Sequence, residues 1–128
     1  MTAIRVAYLL EQCWHPVPGG TAVAAVGLAR ALADRPDIEL VGLAARHRAP
    51  PPGDLQPTVP VVHSALPRAA LYEAWHRLGR PVVDRLVGWP DLVHASGGAV
   101  PVTAGPLVAT VYDLSWRHRP DWATRRGR

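Results

Sequence analysis

The sequence has no lysine, no phenylalanine and only one cysteine among its 128 residues. A single cysteine, Cys13, excludes an internal disulfide and a cysteine-ligated zinc site, and it fits a reducing cytosol. Because lysine is absent, arginine supplies all of the positive charge when histidine is neutral, and the formal net charge is +4. This positive charge allows acidic partners such as nucleotides or anionic lipid surfaces.

Long apolar runs are also absent, since no stretch of about 18 apolar residues occurs that could span a bilayer. The N-terminus lacks the pattern of a secretory signal peptide. A chain of 128 residues that is 48% hydrophobic fits one domain with a modest core. These features predict a cytoplasmic protein. Peripheral contact with a membrane surface remains an alternative.

The N-terminal region has a strand, turn and helix in succession. Residues 4–10 form a nearly continuous apolar segment, which is typical of a parallel strand covered on both faces. Gly19 and Gly20 follow, Thr21 is predicted to cap the next helix, and residues 22–35 are rich in alanine, leucine and arginine. Backbone amides at such a helix start favour a phosphate. PGG is neither G-x-G-x-x-G nor a Walker A loop, so a turn without a ligand remains an alternative.

The rest of the chain continues this alternation of strands and helices. Strands are predicted over residues 38–45, 59–62, 91–94 and 107–112, the last two as buried strands, with helices over 67–78 and 82–88. The pattern predicts an α/β fold, a Rossmann-like and mostly parallel sheet with helices on both faces. The apolar residues expected to pack on the sheet are Ala25, Leu28, Ala29 and Leu32 in the first helix, then Leu71, Trp75, Leu78, Val82 and Leu86.

Polar residues follow three of the predicted strands, in segments 15–21, 94–101 and 113–120. Because ligands bind outside the carboxyl ends of parallel strands, we expect these segments to meet at one edge. His94 has a side chain that titrates near neutral pH and can hold a proton or a hydroxyl. Simpler interpretations remain open: His94 as a structural hydrogen-bonding residue, Asp113 as the cap of a turn, and His118 as a solvated loop residue.

Three features resemble the N-terminal domain of family 4 glycosyltransferases of the GT-B fold: the PGG turn with its helix, DLVHASGGAVP (91–101) and, above all, PLVATVYDLSWRHRPDWATRRGR (106–128). The resemblance implies transfer of a sugar, with retention of configuration, from a nucleotide-sugar donor to a hydroxyl of a sugar or lipid-linked acceptor. The reaction takes place between two Rossmann-like domains. No metal and no cofactor beyond the nucleotide-sugar co-substrate is expected.

The resemblance also implies roles for individual residues. The predicted catalytic residues are His94 and Asp113. The residues expected near the donor phosphates are Gly19, Gly20 and Thr21, and those expected near the acceptor are Ser96, Gly97, Tyr112 and His118. Tyr112 stands where relatives usually have histidine, and a phenol with a pKa near 10 is a poor base at neutral pH.

The sequence ends at Arg128, before the second domain of such enzymes would begin. We therefore expect this chain to be inactive alone, because a developing diphosphate charge needs the preorganised groups of that domain. Trp116 and Trp122 are expected to be partly exposed without it.

Other interpretations come from different classes. A non-catalytic nucleotide-binding or regulatory α/β module would use the same glycine turn. Nucleic-acid binding, suggested by Arg117, Arg119, Arg125, Arg126 and Arg128 around two tryptophans, is disfavoured because no nucleic-acid motif is present. The stripe from Leu71 to Leu86 could contact a membrane, but packing on the sheet is the favoured interpretation.

Overall fold

A computed structural model of the chain describes residues 2–122. Its centre is a five-stranded, all-parallel sheet, which confirms the predicted Rossmann-like α/β class. The strand order is β3-β2-β1-β4-β5. The strands are β1 (Ile4–Leu9), β2 (Ile38–Ala44), β3 (Val61–His63), β4 (Leu92–Ala95) and β5 (Leu107–Ala109).

Helices connect the strands on both sides of the sheet. They are α1 (Gly19–Ala33), α2 (Arg68–Glu73), which continues as a π-helical turn (Ala74–Leu78), α3 (Val83–Leu86) and α4 (Ser115–His118). Short 3₁₀ turns occupy Glu11–Trp14, Gly53–Leu55 and Pro120–Trp122. No helix in residues 2–122 is both long and apolar enough to cross a bilayer.

Alternate residues of β1 face two separate cores, as expected for a strand covered on both faces. Ala7 and Leu9 pack in a cluster with Leu71 and Trp75 of the α2 region. Val6 and Tyr8 pack in the other cluster, which includes Ala25, Val26 and Ala29 of α1. The sheet therefore separates α1 from α2 and α3.

The beginning of α1 differs from the prediction. The helix begins at Gly19 and not after Thr21, and no side chain caps it. Thr21 is therefore the third helical residue, and its predicted role as N-cap is wrong. Leu28 is exposed, because the buried face of α1 is shifted towards Ala22 and Val26.

Only two of the five residues in the predicted apolar stripe after β3 are buried. Leu71 and Trp75 are buried, but Leu78, Val82 and Leu86 are exposed. The five-residue π turn changes the helical phase after Trp75, and Val82 is extended ahead of α3. The residues that pack on the sheet from α3 and its end are Val83 and Val87.

The last described strand also departs from expectation. All three residues of β5 are exposed, although the segment was predicted as a buried strand. The strand occupies only the first half of the predicted segment 107–112, and β5 lies at an edge of the sheet, beside β4. Trp116 and Trp122 are exposed, as predicted. The arginines at positions 125, 126 and 128 lie outside the described residues.

Gly42 allows β2 and β3 to approach closely. A Cβ atom added there would lie 2.9 Å from Val61 Cγ2 and 3.2 Å from the Pro60 carbonyl oxygen. We expect Gly42→Ala to lower the free energy of unfolding by about 1–3 kcal/mol, the usual cost of overpacking. Gly27→Ala is the control, since nothing lies within 4 Å of an added Cβ in that exposed helical position. Urea unfolding of both variants measures the difference, and equal stabilities would contradict this account.

Candidate functional site

The candidate site lies where the strand order reverses, between β1 and β4. Ligands of open parallel sheets bind outside the carboxyl ends of the strands at this point. Gln12, just after β1, donates from Nε2 to Gly97 O at 2.9 Å and to Ser96 Oγ at 3.1 Å. Ser96 in turn donates its hydroxyl proton to the Leu9 carbonyl oxygen. These bonds join the ends of the two strands, and Ser96 lies buried beneath the crevice.

Three of the predicted site residues meet at Gly97. A Cβ atom added to Gly97 would lie 3.0 Å from Thr21 Cγ2 and 3.2 Å from Tyr112 Cε2. It would also lie 2.9 Å from Gln12 Nε2, and the φ angle of Gly97 is +142°. Only glycine fits this position, because both the space and the backbone conformation exclude a side chain.

The beginning of α1 is open to solvent beside this contact. Gly19 has a φ of +62°, which favours glycine, and nothing lies within 4 Å of a Cβ built on Gly19 or Gly20. No side chain caps the helix, so its first amides are available. The helix dipole favours an anion at this end.

His94 is held inside the sheet, in the strand predicted over residues 91–94. It lies in β4, its Nε2 is 2.8 Å from Thr110 Oγ1, and its ring meets Tyr8 edge-on with centroids 5.0 Å apart. Burial lowers the pKa of His94, so the ring is neutral at pH 7. This geometry fits the structural interpretation of His94 left open by the sequence.

Asp113 and His118 lie further along the chain and are both exposed. Asp113 Oδ1 accepts hydrogen bonds from Ser115 N at 2.8 Å and from Ser115 Oγ at 2.6 Å, and these bonds lower its pKa. This is the turn-capping geometry that the sequence left open. Within residues 2–122, no hydrogen bond joins Asp113 or His118 to Thr21, Gly97 or Tyr112.

A buried carboxylate, Glu11, is the functional candidate that the sequence analysis missed. Its side chain is fully buried directly after β1. Oε2 accepts from the Ala45 amide at 2.7 Å, Oε1 is 2.8 Å from His47 Nε2, and Arg68 Nε is 3.9 Å from Oε1. Glu11 thus connects the carboxyl ends of β1 and β2 with the start of α2.

Several buried side-chain polar atoms lack hydrogen-bond partners within residues 2–122, among them Gln12 Oε1, His15 Nε2 and Arg68 Nη1. The amide oxygen only accepts, the guanidinium only donates, and a neutral imidazole nitrogen does one or the other. Burial and the nearby Arg68 charge lower the pKa of His15, which keeps it neutral. A hydroxyl group or a water molecule both donates and accepts, so it can pair with any one of these atoms.

The sequence does contain a signal for Glu11. A charged residue directly after a buried strand lies at the carboxyl edge of the sheet, where ligands bind. Its partners, Ala45 and His47, are 34 and 36 positions away, so local spacing does not reveal them. In the part of the chain that the structure describes, no three histidine, cysteine, aspartate or glutamate side chains form a group that could hold a metal ion.

Comparison with known proteins gave no match: no protein-family model, no curated protein and no solved structure is similar to this chain.

Stability should fall as the pH is lowered below about 6.5, the ordinary histidine pKa. His15 and His94 have lowered pKa values in the folded state, mainly because of burial. The unfolded chain then binds more protons below this pH, so the free energy of unfolding decreases on acidification. Urea unfolding at pH 7.5, 6.5 and 5.5 measures this slope. We expect the double variant His15→Asn/His94→Asn to flatten it, and an unchanged slope would contradict the assignment.

Proposed function

We propose that this chain is the acceptor-side domain of a retaining glycosyltransferase that uses a nucleotide-sugar donor. The observation that carries the proposal is the contact of Thr21 and Tyr112 around Gly97, beside the open first turn of α1. Thr21 lies in segment 15–21, Gly97 lies in segment 94–101, and Tyr112 directly precedes segment 113–120. Their meeting point is the edge where parallel α/β sheets bind ligands.

In this proposal, the donor diphosphate lies at the beginning of α1. The exposed Gly20 allows close approach, and the uncapped amides and the helix dipole stabilise the negative charge. The acceptor lies nearer to Gly97 and Tyr112, whose phenol both donates and accepts hydrogen bonds. His94 and Asp113, which are hydrogen-bonded to Thr110 and Ser115, shape the acceptor side of the site rather than act as bases, and the leaving diphosphate takes the acceptor proton.

The proposal includes a second Rossmann-like domain as a partner. That domain would bind the donor and supply basic groups for the leaving diphosphate, so this chain would not turn over unaided. We place the enzyme in the cytoplasm, in keeping with its single, buried cysteine. The exposed side chains of Leu78, Val82 and Leu86 are compatible with peripheral membrane contact.

The test is to join the donor-binding domain of a GT-B glycosyltransferase after Arg128 and to measure sugar transfer from several nucleotide-sugars. We expect transfer by the fusion and none by the unfused chain. His94→Ala should reduce transfer more than Thr110→Val, which removes only the hydrogen-bond partner of the imidazole. Tyr112→His should preserve or raise transfer. Transfer by the unfused chain, or equal rates for His94→Ala and the parent fusion, would contradict the proposal.

A non-catalytic nucleotide-binding module is the second candidate, favoured by the open beginning of α1 alone. It predicts that the unfused chain binds a nucleotide, that Gly20→Val abolishes this binding, and that no fusion transfers sugar. Calorimetry with a nucleoside diphosphate, together with the transfer assay, separates the two functions.

A further inference from the structure

A cavity of about 380 Å³ opens at the carboxyl ends of β2 and β3. Its walls combine rings and prolines with a few polar groups. The side chains that matter here are Trp14, His47, His63, Arg48 and Gln56, with Pro50, Pro51 and Pro57 completing the wall. None of these residues belongs to the predicted site at Gly97.

The three rings of this cavity hold one another in fixed positions. Trp14 stacks on His47, with centroids 4.8 Å apart and an interplanar angle of 7°. His63 meets Trp14 edge-on at 5.4 Å. The indole Nε1 donates to the Ala49 carbonyl oxygen at 2.9 Å, so the ring is also fixed to the loop after β2. The cavity wall is therefore preorganised.

One ring nitrogen of each of the two histidines is engaged in a hydrogen bond. His47 Nε2 lies 2.8 Å from the Glu11 carboxylate, and His63 Nδ1 lies 2.8 Å from the Ala45 carbonyl oxygen. Both oxygens only accept, so each of these nitrogens carries the proton. In the neutral form of each ring, His47 Nδ1 and His63 Nε2 are then the nitrogens that accept a hydrogen bond.

We propose that this cavity binds a neutral sugar ring, as a glycosyl unit of the acceptor other than the one that reacts. Trp14 and the prolines present apolar surface to the C–H face of a pyranose, and the two imidazoles accept hydrogen bonds from its hydroxyls. Arg48 and Gln56 add donors at the edge. The identification of the sugar as part of an acceptor rests on the proposed function, whereas its binding in the cavity does not.

A metal ion is the main competing ligand. Histidines that bind metals also donate their other N–H to a carboxylate or a carbonyl. However, residues 2–122 contain no group of three metal-ligating side chains, and the remaining wall is formed by rings and prolines. The composition of the cavity therefore favours a saccharide.

The experiment is saturation-transfer NMR of the full chain with methyl α-D-glucopyranoside, methyl α-D-mannopyranoside and maltose. We expect saturation transfer to at least one of these probes. His63→Phe keeps a ring but loses the acceptor nitrogen, and should weaken binding about three- to tenfold, the effect of one hydrogen bond. Ala49→Trp, which fills the cavity, should abolish the signal. The matched controls are His76→Phe and Ala104→Trp, both at exposed positions outside the cavity.

The inference is overturned if none of the three probes binds, or if His63→Phe and Ala49→Trp bind them as well as the parent chain does. Micromolar Zn²⁺ binding that His63→Phe abolishes, without any saccharide signal, would also overturn it and indicate a metal site. Saccharide binding without transfer by the fusion contradicts the proposed function and leaves the cavity assignment intact. An unchanged acceptor KM in a transferring Ala49→Trp fusion contradicts the cavity assignment alone.

Discussion

Replacing Glu11 with alanine is expected to lower the free energy of unfolding by about 3–5 kcal/mol, the usual effect of removing one partner from a buried ion pair. The variant would leave the Ala45 amide, His47 Nε2 and the nearby Arg68 without the carboxylate that they face. A domain of this size is stable by only about 5–15 kcal/mol, so the variant approaches the limit of folding.

Glu39→Ala is the matched control for this variant. Glu39 also pairs with an arginine, Arg5, but its side chain is 56% exposed, and such surface pairs contribute about 1 kcal/mol or less. Glu11→Gln retains a hydrogen-bonding oxygen without the charge. Its free energy of unfolding should lie between those of the parent chain and Glu11→Ala. Chemical unfolding of the three variants measures the order of their stabilities. A loss for Glu11→Ala no larger than that for Glu39→Ala would show that the buried carboxylate does not organise this edge.

Gly20→Val is expected to reduce sugar transfer by the fused enzyme at least about a hundredfold, comparable with the loss of a group that stabilises transition-state charge. The added side chain would stand over the first amides of α1, where the diphosphate is proposed to lie. Nothing in the described chain lies within 4 Å of a Cβ at this position, so the fold has room for the substitution.

Gly27→Val is the control, because it places the same side chain in open space on the same helix. Its transfer rate should match that of the parent fusion, and circular dichroism should give similar thermal unfolding for both variants. Full activity of a folded Gly20→Val fusion would mean that the donor phosphates lie elsewhere.

The strands were the most predictable part of the fold. β1 and β2 are covered on both faces, so their sequences are continuous apolar runs that local composition reveals. β5 has the same kind of sequence, but its exposure depends on its place at the edge of the sheet, beside β4. Local composition contains no such information.

Helical faces were less predictable, because they depend on small changes in phase. The periodicity from Leu71 to Trp75 was correct. One π turn and the extended Val82 then exposed Leu78 and Leu86 and buried Val83 instead. A pattern based on 3.6 residues per turn does not anticipate either change.

The site was predictable to the extent that topology defines it. The rule that ligands bind at the carboxyl ends of strands predicted that segments 15–21 and 94–101 meet, and Thr21 does lie beside Gly97. Tyr112 was expected there from the family resemblance alone. Glu11 and Gln12 were missed because a single polar residue after a strand resembles an ordinary loop residue. Their importance depends on burial and on partners distant in sequence, such as His47 and Gly97.

The most direct test of the proposed function is an NMR spectrum of the product formed by the fusion of this chain with a donor-binding domain. The account predicts a new glycosidic anomeric signal with the configuration of the donor sugar, formed only when this chain is present. An inverted product, or the same product at the same rate from the donor-binding domain alone, would contradict it.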